Sequence, residues 1–241
     1  MQPPAGHAAE TAAAASDEGD LAVHPEARNW LVDGFRHVWE KLVLFFHTGA
    51  RMTRHPRQFA VDWARGEFRA FNPLAFMATG GGLTATLALF VDRLTHQRSG
   101  FSSTDFLVHE IDPYLRYFLL GLLCHAFLRP LGARRPWYMT LAVALFAGGG
   151  PASAADALAE VVKLGAIFLA PEGQSLASSA INGVAAGGIL LANGVFLVTL
   201  ALGLAGIHRI RLWRIAISLV AAEASLSVIR VLLFKFVVPE E

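Results

Sequence analysis

Charge is scarce in this chain. Only 16% of its 241 residues are Asp, Glu, Lys or Arg, where soluble proteins carry roughly 25%. That is too little to cover a globular surface, and it excludes an ordinary soluble enzyme of this size. Neither sign is in excess: 20 basic against 19 acidic residues leave a net charge of +1, which excludes a basic nucleic-acid binder. Cysteine is reduced to Cys124, so there is no disulfide framework and no Cys-based zinc finger. The sequence contains no H-E-x-x-H, no G-x-S-x-G, no phosphate-binding G-x-x-x-x-G-K-S/T and no G-x-G-x-x-G, which removes the commonest hydrolase and nucleotide signatures. No enzymatic activity, cofactor or metal is expected.

Apolar sequence fills the space these absences leave. Hydrophobic residues make up 54% of the chain and the mean hydropathy is +0.47. They gather into runs, and crossing ~30 Å of hydrocarbon takes about 20 such residues in a helix. The expected fold class is therefore an all-α integral membrane protein, divided into three parts. Residues 1–27, rich in Ala, Pro and acidic side chains, lack the basic region and apolar core of a secretory signal and read as a disordered tail. Residues 28–72 read as cytoplasmic or interfacial amphipathic helices, because Leu31, Phe35, Val38, Leu42 and Phe45 recur at three- and four-residue steps beside Trp30, Trp39, Arg28, Arg36 and Lys41. Residues 73–241 read as the transmembrane domain.

Within that domain the clear spans are Leu74–Val91, Ile111–Leu128, Ala180–Ile207 and Leu212–Val238. Between them Trp137–Ala170 is too long for one straight crossing and contains Gly148-Gly149-Gly150-Pro151, which predicts a broken helix. Charge decides whether that region crosses once or twice. Eight Lys and Arg precede the first span, and two lie between spans one and two. Three follow span two (Arg129, Arg134, Arg135), none lie in residues 171–180, and three (Arg209, Arg211, Arg214) lie at the final turn. Five passes put the groups of eight, three and three inside, as the positive-inside rule requires. The N-terminus is then cytoplasmic, in a bacterial inner membrane, and Ala154–Ala170 becomes a re-entrant or surface helix on the outer side.

The segment RHPRQFAVDWARGEFRAFNPLAF, residues 54–76, resembles the entry motif of an uncharacterised bacterial family of multi-pass membrane proteins. The matching positions are His55, Pro56, Gly66, Phe68, Arg69, Pro73 and Phe76. The chain departs from many members in having no Cys-rich zinc ribbon ahead of the motif. Residues 195–220, with His208, Arg209 and Arg214 in a basic turn, are similar to the end of Yip-type five-pass proteins. The resemblance implies a five-pass architecture; eukaryotic Yip-type proteins work in vesicle trafficking with small GTPases, but a fold does not carry function with it. Physically, Pro56 and Pro73 suit helix starts and Gly66 a turn between them, while the arginines suit anionic lipid head groups at the cytoplasmic face.

Ionisable groups inside spans cost about 2.5–3.5 kcal/mol at a helix centre on insertion scales, so each needs a reason. Glu223 and Arg230 share a face of the last span, Arg116 and His125 lie on the second, and Asp156, Glu160 and Lys163 recur along one face of the third region. They read either as ion pairs that pin the bundle or as a polar relay centred on Glu223. His109, Glu110 and Asp112, with His96, have metal-binding side chains but poor spacing for one centre. Gly80, Gly81, Gly82, Gly183 and Gly187 stand where small residues let helices approach closely, within the chain or against a second copy or another membrane protein. The expected role is a non-enzymatic scaffold or membrane-organising protein. The alternative is a small-solute or ion transporter, or a channel subunit, with its polar path around Glu223, Arg230 and His125.

Overall fold

A computed structural model of the chain describes residues 25–95, 103–169 and 175–237, and every regular element among them is helical. In chain order these are α1 (Pro25–Arg54), α2 (Pro56–Ala64), α3 (Pro73–Thr95), α4 (Ser103–Leu128), α5 (Trp137–Ala147), a π-turn (Gly148–Ala152), α6 (Ser153–Leu169), α7 (Ser175–His208) and α8 (Leu212–Val237). The chain divides into two compact units. The first, up to Leu42, holds the early turns of α1, which begin at Pro25, where Arg28 was expected, and carry an Arg36–Glu40 ion pair at 3.4 Å. The second, from Val43, is the helical bundle.

Local chemistry sets where the bundle helices start and stop. Pro56 and Pro73 open α2 and α3 at a position where a missing N–H costs nothing. The Asn72 side-chain oxygen accepts the N–H groups of Leu74 and Ala75, capping α3. At the end of α2, Gly66 takes φ +74 and donates to the Trp63 carbonyl, while Glu67 donates to Asp62. That pair of bonds is a Schellman ending, and it needs a residue at ease with positive φ. Gly132, with φ +107, closes α4 in the same way.

Among the described residues, four helices are long and apolar enough to cross a membrane: Pro73–Val91, Trp137–Ala166, Ala186–His208 and Leu212–Ile229. α4 carries a shorter apolar stretch, Tyr114–Leu128. Of the Trp137–Ala166 window 67% is buried, against 33%, 44% and 28% in the other three, so this helix is the central post of the bundle. Its core side chains include Val143 and Phe146, packed with Met52, Phe59, Phe76, Leu200 and Leu204. The Phe146 ring meets Phe59 at 5.0 Å and Phe76 at 5.6 Å between centroids.

The expected break at Gly148–Pro151 is not there. α5 runs through the π-turn into α6 without leaving the helical path. Proline lacks the N–H for an α-turn and its ring would collide with the carbonyl four residues back, and a wider turn removes both conflicts. The Ser153 N–H reaches back five residues to the Gly148 carbonyl, and the Ser153 hydroxyl donates to the same oxygen at 2.8 Å. Residues 154–169 are therefore not a separate re-entrant or surface helix. They continue α5 and pack on α3 and α7.

The glycines allow this packing. A Cβ on Gly80 would overlap the Gly149 carbonyl, and one on Gly149 would overlap the Met77 backbone, so α3 and the π-turn touch main chain to main chain. On α7, a Cβ on Gly206 would stand 2.5 Å from the Arg57 carbonyl oxygen, where α2 lies across it. Gly80→Ala should lower the stability of the detergent-solubilised protein by roughly 1–3 kcal/mol, the usual range for overpacking. Gly82→Ala, with nothing within 4 Å of its added carbon, should be neutral or stabilising. Thermal unfolding of the two variants side by side measures the difference.

Candidate functional site

Three helices bring their polar side chains together midway along the bundle. From α4, Arg116 donates through Nη2 to Glu223 Oε1 of α8 at 2.6 Å and through Nη1 to Asn193 Oδ1 of α7 at 2.7 Å. Asn193 is itself oriented, since its amide nitrogen donates to the Ile189 carbonyl one turn back. The Arg116 and Glu223 side chains are 24% and 25% exposed, so the pair is largely withdrawn from the surroundings. Beside it Tyr117 stacks on Phe196 at 4.1 Å and fills the space over Gly148. One planar guanidinium thus joins three helices, using the fork geometry that suits Arg to a carboxylate and an amide at once.

A second polar chain lies further along α4. His125 Nδ1 is 2.9 Å from Thr140 Oγ1 of α5, which is 2.9 Å from His208 Nε2 at the end of α7. Thr140 is fully buried and His208 nearly so, and His208 Nδ1 has no hydrogen-bond partner among the described residues. A hydroxyl has one proton, so it donates to one ring and accepts from the other. His125 is nine residues from Arg116, about 13 Å along a helix, and the fully buried Leu120 and Cys124 lie between them. The two polar groups are separate places, and no side-chain hydrogen bond joins them among the described residues.

Of the remaining sequence candidates, Asp156 lies within electrostatic reach of Tyr117, as do Arg116 and Glu223. Glu160 pairs with Lys163 at 3.4 Å on α6 itself, and Asp156 lies half-buried in the first turn of that helix. Arg230 sits on α8, and His109, Glu110 and Asp112 sit on α4, with side chains outside the described residues; His96 lies outside them altogether. Gly80 and Gly81 face close neighbours, the Gly149 backbone and the Tyr114 ring, while Gly82, Gly183 and Gly187 face open space within the chain. The close approach on α7 is instead made by Gly188 against Ala159.

In the entry segment, His55 is exposed at the start of α2, Pro56 is buried, and Arg69 is exposed in the connection to Pro73. The organising contact there joins Arg51, which precedes the segment, to side chains within it. Arg51 pairs with the buried Asp62 at 2.5 Å, Gln58 donates to the other Asp62 oxygen at 2.7 Å, and the Arg51 guanidinium lies 4.4 Å over the Phe68 ring. The Thr48 hydroxyl accepts the Phe71 N–H at 3.1 Å and donates to the Leu44 carbonyl.

Asn193, Thr140, Arg51 and Asp62 were missed as site residues. Asn193 had a signal, an amide inside a long apolar run. Arg51 and Asp62 are eleven residues apart and meet only after the chain has turned at His55. No family model, curated protein or solved structure matches the chain.

Removing one partner of a withdrawn ion pair leaves an uncompensated charge, at a cost of about 3–5 kcal/mol, whereas an apolar replacement of both is often neutral. Glu223→Leu alone should destabilise by an amount at the low end of that range, given the quarter exposure, and Arg116→Met together with Glu223→Leu should recover most of it. A double-mutant cycle on unfolding in mixed micelles measures this. No recovery in the double variant would show that the pair does not act as a unit.

Proposed function

We propose that the protein is a five-pass inner-membrane protein of scaffold or membrane-organising type, with its N-terminus cytoplasmic and no catalytic activity of its own. The observation that carries this reading is the face of α1 before the bundle begins. Phe35, Val38, Trp39 and Leu42 lie along one side, with Phe35 77% and Trp39 68% exposed, and Arg36 and Lys41 are exposed beside them. A helix face of exposed aromatic side chains, flanked by basic ones, suits the interface of an anionic bilayer or the surface of a membrane-protein partner. The arrangement of Glu223 supports the same reading. The carboxylate is tied to Arg116, whose other arm is tied to Asn193, and a group so engaged works as a structural pin. α4 supplies the fifth pass through its 26 residues, about 39 Å of helix. The arginines at residues 28–69, 129–135 and 209–214 then share the cytoplasmic side.

Two measurements test the proposal. Extraction of the full chain with its surrounding lipid patch, followed by mass spectrometry, should recover a stoichiometric protein partner. Phe35→Ser, Val38→Ser and Trp39→Ser together should cut that recovery more than about tenfold, since each apolar side chain contributes roughly 1.5–3 kcal/mol when buried. Unchanged recovery would remove α1 from the role. For the topology, Ser175→Cys should be labelled by an impermeant thiol reagent applied from outside the cell; labelling only after permeabilisation would reverse the orientation.

A further inference from the structure

The bundle carries a groove of about 500 Å³ where the end of α1 crosses α3, the π-turn and α6. It falls in the size range of sites that take a small organic molecule. Its walls are almost wholly hydrocarbon: Phe45 and Phe46 of α1, Leu83 and Leu87 of α3, and Ala154 and Ala157 of α6. Gly80, Gly149 and Gly150 also line it, at the place where α3 and the π-turn meet main chain to main chain.

Three hydroxyls line the groove, and each is already donating its proton. Thr53 donates to the Gly49 carbonyl at 2.8 Å, Thr84 to the Gly80 and Ser153 carbonyls at 3.0 and 3.3 Å, and Ser153 to the Gly148 carbonyl at 2.8 Å. The other polar side chain on the lining is Arg54. Arg51, one turn earlier, is held by Asp62, but among the described residues no carboxylate pairs with Arg54, which is exposed at the end of α1. The groove therefore offers a hydrocarbon wall with no hydrogen bonds to satisfy and a single cation at one end. A ligand that fits both parts has a long apolar body and an anionic head.

We infer that this groove is a binding site for one anionic phospholipid, with an acyl chain along α3 and α6 and the phosphate on Arg54. Arg recognises phosphate by charge-assisted, often bidentate hydrogen bonds, and an acyl chain meets here a wall as apolar as the bilayer it leaves. The inference needs only that the bundle stands in a bilayer, so it stands or falls separately from the scaffold role.

The test is native mass spectrometry of the full-length, detergent-purified protein after incubation with equal amounts of phosphatidylglycerol and phosphatidylcholine. The wild-type chain should retain one phosphatidylglycerol in preference to phosphatidylcholine. Arg54→Gln, a change at an exposed position, should lower that retention about tenfold, the effect of one hydrogen bond to a charged group. Arg134→Gln, which removes the same charge at an exposed position outside the groove and the entry segment, should leave it unchanged, and Ala157→Leu, which fills the groove, should lower retention of either lipid. Equal retention of the two lipids would overturn the inference, as would an equal effect of Arg54→Gln and Arg134→Gln. So would a free fatty acid found in place of the phospholipid, or a lipid-free dimer.

Discussion

Everything in the bundle is arranged around two residues that have no side chains. Where Gly80 of α3 meets Gly149 of the π-turn, main chain lies against main chain, so the distance between these helices is at its lower limit. That closeness pulls Phe76 onto Phe146 and Phe45 onto Phe76, and it sets the depth of the groove beside them. Without lipid-excluded hydrophobic area to drive it, helix association in a membrane depends on such close fits and on a few interhelical hydrogen bonds. The chain uses both means. The glycine contact fixes α3 to the central post, and the Arg116 fork fixes α4, α7 and α8 to one another.

The π-turn belongs to the same solution. Gly148-Gly149-Gly150-Pro151 supplies residues small enough for α3 to approach and a proline that no regular α-helix accommodates without strain. The Ser153 hydroxyl and N–H together reclaim the Gly148 carbonyl, so the helix keeps its path and α6 continues beyond the kink-prone sequence. What looks in the sequence like a stop works in the fold as a spacer one residue wider than an α-turn.

This explains which features could be read in advance. The long apolar runs at 74–91, 180–207 and 212–238 announce helices because hydrophobicity over twenty residues outweighs local detail, and α3, α7 and α8 stand there across the described residues. Gly66, Pro56 and Pro73 could be read because turn and helix-start chemistry is local. Gly148–Pro151 was misread for the opposite reason: local propensity says break, and the tertiary contact with α3 overrides it. In the polar residues, Glu223 and Arg116 were visible as costly charges, but which of several cations Glu223 would meet depends on how α4 and α8 are rotated. Asn193 was visible as an amide in an apolar run, but its partner was not, and Thr140 gave little sign, since it takes its part only through neighbours on other helices. Gly183 and Gly187 have the spacing of a packing face, yet within this chain the approach is made by their neighbour Gly188 against Ala159.

The docking of α2 onto α7 has a consequence in time. The Arg57 carbonyl rests against Gly206, and Phe59 and Ala60 are fully buried around that contact. A chain made from its N-terminus at roughly 5–20 residues per second completes α2 about 7–28 s before Gly206 has been synthesised. Until then the face of α2 that ends in the core has nothing to close on. The Arg51–Asp62 pair, with Gln58 and Phe68 around it, is formed by residues 51–68 alone. It can hold the hairpin of α1 and α2 in shape through that interval, ready for α7 when it arrives.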